Sequence, residues 1–125
     1  HEGGANCLVL CDTNGGSMPS EIRRIVSAVK DALPEANLGI HCHDDTEQAV
    51  ANSLAAVEAG VRQIQGCING IGERCGNANL IAIIPTLMLK MGYDTGLSAE
   101  QLTHIGELSR LVDDRLNRAS NRHAA

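Results

Sequence analysis

The strongest chemical signal in this 125-residue chain is a pair of histidines, His41 and His43, one residue apart. In an extended strand, side chains two apart point to the same face. Both imidazoles can then grip one divalent metal, while Cys42 points the other way and is not counted as a ligand. A lone H-x-H pair reads slightly better as two satisfied histidines at a polar strand end. In this chain Asp44 and Asp45 follow at once, and Asp12 and Asn77 stand at the ends of other apolar runs. That company favours metal binding. Two histidines leave a site incomplete, since a hard or borderline cation takes further oxygen ligands and keeps an open position for substrate. Asn77 can supply one carbonyl oxygen, or cap a helix, or do both. A missing carboxylate must come from elsewhere.

Two other stretches could carry chemistry. Asp12-Thr13 closes the first apolar run. It reads evenly as a simple turn or as a carboxylate and a hydroxyl projecting into a site. The loop Gly70-Ile71-Gly72-Glu73-Arg74-Cys75-Gly76-Asn77 lacks the third glycine of a dinucleotide fingerprint and the Lys-Ser/Thr of a P-loop. It is better explained as a mobile lid or ligand contact over a site. Cys75 could be reactive, with inertness the safer default.

These residues need a scaffold. Residues 7–11 form a continuous apolar run typical of a strand buried on both faces. Residues 38–43 and 61–68 are the next two strands. Pro19 opens a helix whose stripe is Ile22, Ile25, Val26, Val29 and Leu33, stopped by Pro34. Asp45 and Gln48 form a candidate capping box for a second helix ending at Gly60. Residues 78–91 are apolar over a wide arc, and Pro85 should kink that helix or move its start. Ser98 and Gln101 suggest another capping box, ahead of a stripe at Leu102, Ile105, Leu108, Val112 and Leu116. Strands alternating with helices mean a parallel sheet with right-handed crossovers. The open doubly wound sheet and the (β/α)8 barrel both place chemistry at the carboxyl ends of strands, where every polar motif above sits. A full barrel takes about 250 residues, twice this length.

Composition narrows the class. Tyr93 is the one aromatic residue, yet 43% of the chain is hydrophobic, so any core is aliphatic. A net charge of −5 argues against a nucleic-acid partner. No apolar run reaches the length of a membrane span. The five cysteines include no C-x-x-C pair, which argues against a zinc knuckle. An odd count, without a leader-like start, leads to the expectation of a reducing cytoplasm.

Taken together, Cys11-Asp12-Thr13-Asn14-Gly15-Gly16, Gly39-Ile40-His41-Cys42-His43-Asp44-Asp45, Ala51-Asn52-Ser53-Leu54-Ala55-Ala56 and Gly70 to Leu80 resemble a family in order and spacing. It is the isopropylmalate, homocitrate and citramalate synthase group, within the metal-dependent barrels that include hydroxymethylglutaryl-CoA lyase. Asp12-Thr13-Asn14-Gly15-Gly16, Glu73 to Leu80 and Leu89-Lys90-Met91-Gly92-Tyr93 suit the citramalate branch best. The resemblance implies an α/β fold, a fragment of a (β/α)8 TIM barrel. Residues 1–117 would be its C-terminal half from about the fifth strand, and residues 118–125 a disordered tail.

The resemblance also implies a Claisen-type condensation of acetyl-CoA with an α-keto acid, followed by thioester hydrolysis. Pyruvate giving citramalate is the first expectation; isopropylmalate and homocitrate synthesis are the alternatives. It implies a divalent metal (Mn2+, Mg2+ or Zn2+) on His41, His43 and Asn77, with Thr13 near the keto-acid carboxylate. Glu73, Arg74 and Gly76 match the loop at the site rim. Asp45 or backbone carbonyls could orient the outer ring nitrogens of the histidines. A homodimer in the cytoplasm is expected. The family's metal-binding Asp, the adjacent Arg, the general base and a catalytic histidine from after the barrel find no match in this sequence. His104 and His123 stand in no matching motif. Asp44 replaces the family's usual Asn, which changes the charge beside the metal. An expectation of a different class is a catalytically silent half-barrel that associates with itself through open sheet edges.

Overall fold

The structure is a computed structural model that describes residues 2–119. Of the expected disordered tail, Arg118 and Ala119 are exposed coil, and the remainder, with His123, lies outside the described residues.

Three strands form one parallel sheet in the order β1 (Leu8–Asp12), β2 (Leu38–Cys42), β3 (Gln63–Gln65). The register sets Cys11 beside His41 and His41 beside Gln65. Helix α1 (Pro19–Ala32) connects β1 to β2, and α2 (Ala49–Glu58) connects β2 to β3. Alternation along the strands then separates two faces. Leu38, Ile40 and Cys42 are fully buried with Ile22 and Val26 of α1 and Ala49 and Ala56 of α2, and Leu8, Leu10 and Ile64 pack against them. Both crossover helices therefore lie on one face. Sequential strand order with one-sided helices is the winding of a barrel rather than of a doubly wound sheet. The other face carries Val9, Cys11, Gly39, His41, Gln63 and Gln65. Gly39 is needed there, because a Cβ would meet Gln63 Oε1 at 2.9 Å and Val9 at 3.0 Å.

Several expected boundaries move. β1 is half-buried rather than covered on both faces, because one of its edges and its inner face are open. β3 spans three residues rather than 61–68. Beyond Gln65 the Cys67 N–H donates to Ala78 O instead of continuing along β2. The Asp45–Gln48 capping box does not form, since Asp45 is paired with Arg74. Asp44 reaches the first N–H of α2 instead, Ala49 N to Oδ1 at 2.8 Å. Helix α3 (Leu80–Leu89) starts at a cap made by Asn79, whose side chain accepts from Ile81 N–H at 3.0 Å. Pro85 sits inside it without ending it.

The Ser98–Gln101 box does form, but the last stripe divides at His104 into α4 (Ala99–Thr103) and α5 (Ile105–Arg115). The buried residues of α5 are Ser109 and Asp113; of the expected stripe Leu102, Ile105 and Val112 are half-buried, while Leu108 and Leu116, like Leu111, are exposed.

Among the described residues no helix is long and apolar enough to cross a membrane. Both outer edges of the sheet lack a strand partner among those residues. Leu89 and Leu111 are 69% and 51% exposed. Unpaired edges and exposed apolar side chains template association. The isolated chain is therefore expected to elute as a dimer or larger species in size-exclusion chromatography with light scattering. A monodisperse monomer at low micromolar concentration would contradict this.

Candidate metal and substrate site

The carboxyl ends of β2 and β3 diverge, and residues 77–79 fill the gap. Ala78 N–H donates to Cys42 O and Ala78 O accepts from Cys67 N–H, each at 3.0 Å. Asn77 becomes the antiparallel bridge partner of His43, and Asn79 pairs with Cys67. Two side chains 34 positions apart in sequence thus sit side by side. His41 and His43 share a face, their ring centroids 5.2 Å apart in an edge-on arrangement. His43 is 7% exposed. Its Nδ1 and the Oδ1 of Asn77 are both buried and make no hydrogen bond. An unmet buried polar atom costs on the order of 1–3 kcal/mol, so two in neighbouring residues mark a place arranged for a ligand. The other end of the Asn77 amide, Nδ2, lies 3.7 Å from Cys67 Sγ. Asn77 is free for this because Asn79, not Asn77, caps α3.

Among the described residues no three His, Cys, Asp or Glu side chains gather where they could share a metal ion. The donor set brought together is two imidazoles and one carboxamide oxygen. It suits a divalent cation of borderline character whose remaining ligands are oxygens.

The nearby carboxylates are engaged elsewhere. Asp12 does not project into the site: Ser17 Oγ donates to its Oδ1 at 3.0 Å, and the buried Asn52 lies 3.5 Å from its Oδ2, on the helix side of the sheet. Asp44 turns to the start of α2, where the helix dipole favours a negative charge. Its charge is therefore directed away from the histidines. Asp45 does not orient His43. It takes a two-pronged bond from Arg74, Nε and Nη2 both at 3.0 Å.

Arg74 Nη2 also donates to the Thr13 carbonyl at 2.6 Å. One guanidinium so ties the glycine-rich loop to the loops after β1 and β2. The lid expected from sequence is clamped at its tip. Arg74 adopts φ +56, a left-handed conformation uncommon for a side-chain-bearing residue. Gly15 closes the same junction, since a Cβ there would meet Asp45 N at 2.8 Å. Glu73 is exposed beside Arg74, with its carboxylate 3.7 Å from Nη1. Gly76 passes against Gly70 O, leaving no room for a side chain. Thr13 is exposed, and its backbone is held by the Arg74 bond to its carbonyl. His104 is on the surface, paired with Glu107 at the junction of α4 and α5.

Cys42 points into the helix layer, as the alternation requires, and burial pushes its thiol up to about 11. Cys11 and Cys75 are exposed. Of two further residues of this region, Cys67 carries no motif that would single it out and Asn69 carries only a local one. The Asn69-Gly70 pair is a turn signal, and both residues have positive φ.

Comparison with known proteins follows the same lines. A protein-family model described as HMGL-like matches residues 1–109. An (R)-citramalate synthase from Aquifex aeolicus is 55% identical over 116 residues, 93% of this chain and 22% of that protein. A 2-isopropylmalate synthase from Vibrio parahaemolyticus is 42% identical over 113 residues, covering 86% of this chain and 22% of the enzyme. A solved hydroxymethylglutaryl-CoA lyase from Pseudomonas aeruginosa superimposes with a TM-score of 0.80 at 25% identity, over 98% of this chain and 42% of that one. The chain spans about a fifth of the length of the curated relatives it matches.

The Arg74 guanidinium holds the Asp45 carboxyl below its usual value. A depressed folded-state value means that the clamp's contribution is fully present above the ordinary carboxylate pKa, about 3.9, and is lost as pH falls through the lowered value. A carbon-detected NMR titration should place Asp45 below about 3.9 in the wild type and return it to the ordinary value in Arg74→Gln. The same midpoint in both would contradict the clamp. In thiol labelling at neutral pH, Cys11 and Cys75 should react while Cys42 stays protected until unfolding. Labelling of Cys42 at the rate of Cys75 would contradict its burial.

Proposed function

The chain belongs to the HMGL-like family, and from that membership we propose that it is a piece of a citramalate synthase. The whole protein would be an acyltransferase that joins acetyl-CoA to pyruvate and hydrolyses the thioester. The three parallel strands with one-sided helices are part of this family's (β/α)8 barrel. Residues 1–117 would be the C-terminal half, with the remaining strands supplied by other parts of a longer protein. A homodimeric cytoplasmic enzyme belongs to the same proposal.

The observation that carries the reading is the pairing of His43 with Asn77, each with an unmet buried atom, beside His41. His41, His43 and Asn77 would hold a divalent cation, Mn2+, Mg2+ or Zn2+. That cation, when bound, supplies Lewis-acid polarisation of the ketone. The protein's own contribution is positioning. Buried His43 and the Asn77 amide are fixed by backbone pairing, so little reorganisation is needed when a ligand arrives. Thr13, with its main chain held by Arg74, would present its hydroxyl to the keto-acid carboxylate. The loop bearing Glu73, Arg74 and Gly76 walls one side of the mouth. The base that takes the acetyl-methyl proton is not assigned to any residue of this chain, and the family's missing carboxylate ligand would also come from outside it. On this reading the isolated chain is silent.

The 55% identity to an (R)-citramalate synthase supports pyruvate over larger keto acids. The 42% identity to a 2-isopropylmalate synthase keeps that activity as the alternative.

A thiol-release assay on the longer protein, with acetyl-CoA and either pyruvate or larger α-keto acids, tests this. CoA should appear fastest with pyruvate, and the His41→Ala, His43→Ala double variant should lose on the order of 100- to 1,000-fold in kcat. No turnover with pyruvate would remove the citramalate assignment. Turnover by the isolated chain would show that the base and the carboxylate ligand lie within residues 1–125 after all. Calorimetry with Mn2+ gives an independent readout: equal binding by wild type and double variant would sink the metal role.

A further inference from the structure

The two residues of α5 buried against the rest are polar, Ser109 and Asp113, each 5% exposed. Both bind Asn69, 40 and 44 positions earlier. Asn69 Nδ2 donates to Asp113 Oδ1 and to the Ser109 carbonyl, each at 2.9 Å, and Ser109 Oγ donates to Asn69 Oδ1 at 2.6 Å. Both ends of the Asn69 amide are thereby held. Asn69 itself sits at φ +58, a backbone state that a side-chain-bearing residue occupies at some cost. The immobilised backbone leads directly to the site: the next carbonyl, Gly70 O, accepts from Asn77 N–H at 2.9 Å, and Gly76 O accepts from Asp44 N–H at 2.9 Å. Gly72 packs so closely on the Asn77 carboxamide that a Cβ would lie 2.7 Å from its Cγ.

We propose that Asn69, locked by Ser109 and Asp113, is a positioning residue that sets the orientation of the Asn77 carboxamide and so makes α5 a working part of the site. The chain of contacts runs from α5 to Asn69, to Gly70 O, to the Asn77 amide, with Gly72 as the wall that the carboxamide rests on. A shift of α5 has a direct mechanical route to Asn77, in a region that the apolar stripe of the helix would mark as a mere packing surface. The link from Asn77 to a bound cation rests on the metal-site reading under Proposed function; the link from α5 to Asn77 does not.

Amide hydrogen exchange by NMR on the 125-residue chain tests the second link, and Mn2+ calorimetry tests the first. Asn69→Gly keeps the positive φ and removes the side chain; Asp113→Ala removes the anchor. Each should speed exchange at the Asn77 amide by about tenfold relative to the Ile40 amide of β2. Asp113→Asn, whose carbonyl can accept the same bond, should exchange like the wild type, as should Leu111→Ala on the exposed side of α5. Wherever the wild type binds Mn2+, Asn69→Gly should weaken binding by roughly 10- to 100-fold. If Asp113→Ala does not fold, Ser109→Ala, which removes one bond, carries the same comparison. Unchanged exchange at Asn77, or equal acceleration at Asn77 and Ile40, overturns the proposal. Altered exchange at Asn77 supports the positioning role whether or not the chain takes up Mn2+, and a longer protein that binds no Mn2+ removes the metal reading alone.

Discussion

At the carboxyl ends of β2 and β3 the sheet opens, and two backbone groups, Cys42 O of a buried residue and Cys67 N–H of a half-buried one, lose the partners that a continuing ladder would give them. Buried main-chain groups must be paired, and both go to Ala78, a residue with no exposed surface. This insertion governs the rest of the site. It places Asn77 beside His43, starts α3 at Asn79, and gives the glycine-rich loop two fixed ends. The loop between is then short of space, which is why Gly70, Gly72 and Gly76 each face an atom that a Cβ would crowd.

Charge completes what the backbone begins. Arg74 gathers Asp45 and the Thr13 carbonyl, while Asp44 faces the start of α2 and Asp12 faces Ser17 and Asn52. Asp12, Asp44 and Asp45 are each occupied with holding a loop or a helix. Among the described residues four buried side-chain atoms lack a partner, and the two that lie together are the His43 ring nitrogen and the Asn77 carboxamide oxygen; Asn52 Oδ1 and Thr95 Oγ1 stand elsewhere. That division separates scaffolding charges from ligating groups, and it leaves room for a carboxylate ligand supplied from elsewhere in a barrel of which this chain forms part.

The parts of this arrangement differ in how far the sequence reveals them. Two-residue periodicity is enough to put His41 and His43 on one face and Cys42 on the other, because strand geometry allows no alternative. Alternation of strands and helices gives a parallel sheet, and the choice of barrel winding needs only the observation that both crossover helices share one face. Asn77 is visible as a candidate, but its pairing with His43 is a long-range bridge that spacing does not encode. The Asp45 capping box fails for the same reason: a guanidinium 29 positions away competes with a local backbone donor and wins with two charge-assisted bonds. α5 is read only in part. Apolar periodicity finds the half-buried Ile105 and Val112 but also marks Leu108 and Leu116, which are exposed, and it ignores the two buried residues, Ser109 and Asp113, which are polar and are held by Asn69, a partner 40 residues earlier.

The central claim is that His41, His43 and Asn77 converge on one cation. Anomalous diffraction at the manganese edge, from crystals of the longer protein grown with Mn2+, tests it most directly. A single peak within bonding distance of both imidazoles and the Asn77 carboxamide oxygen is the expected result. A map with no peak there at millimolar Mn2+, or one in which another protein group occupies His43 Nδ1 and Asn77 Oδ1, would contradict it.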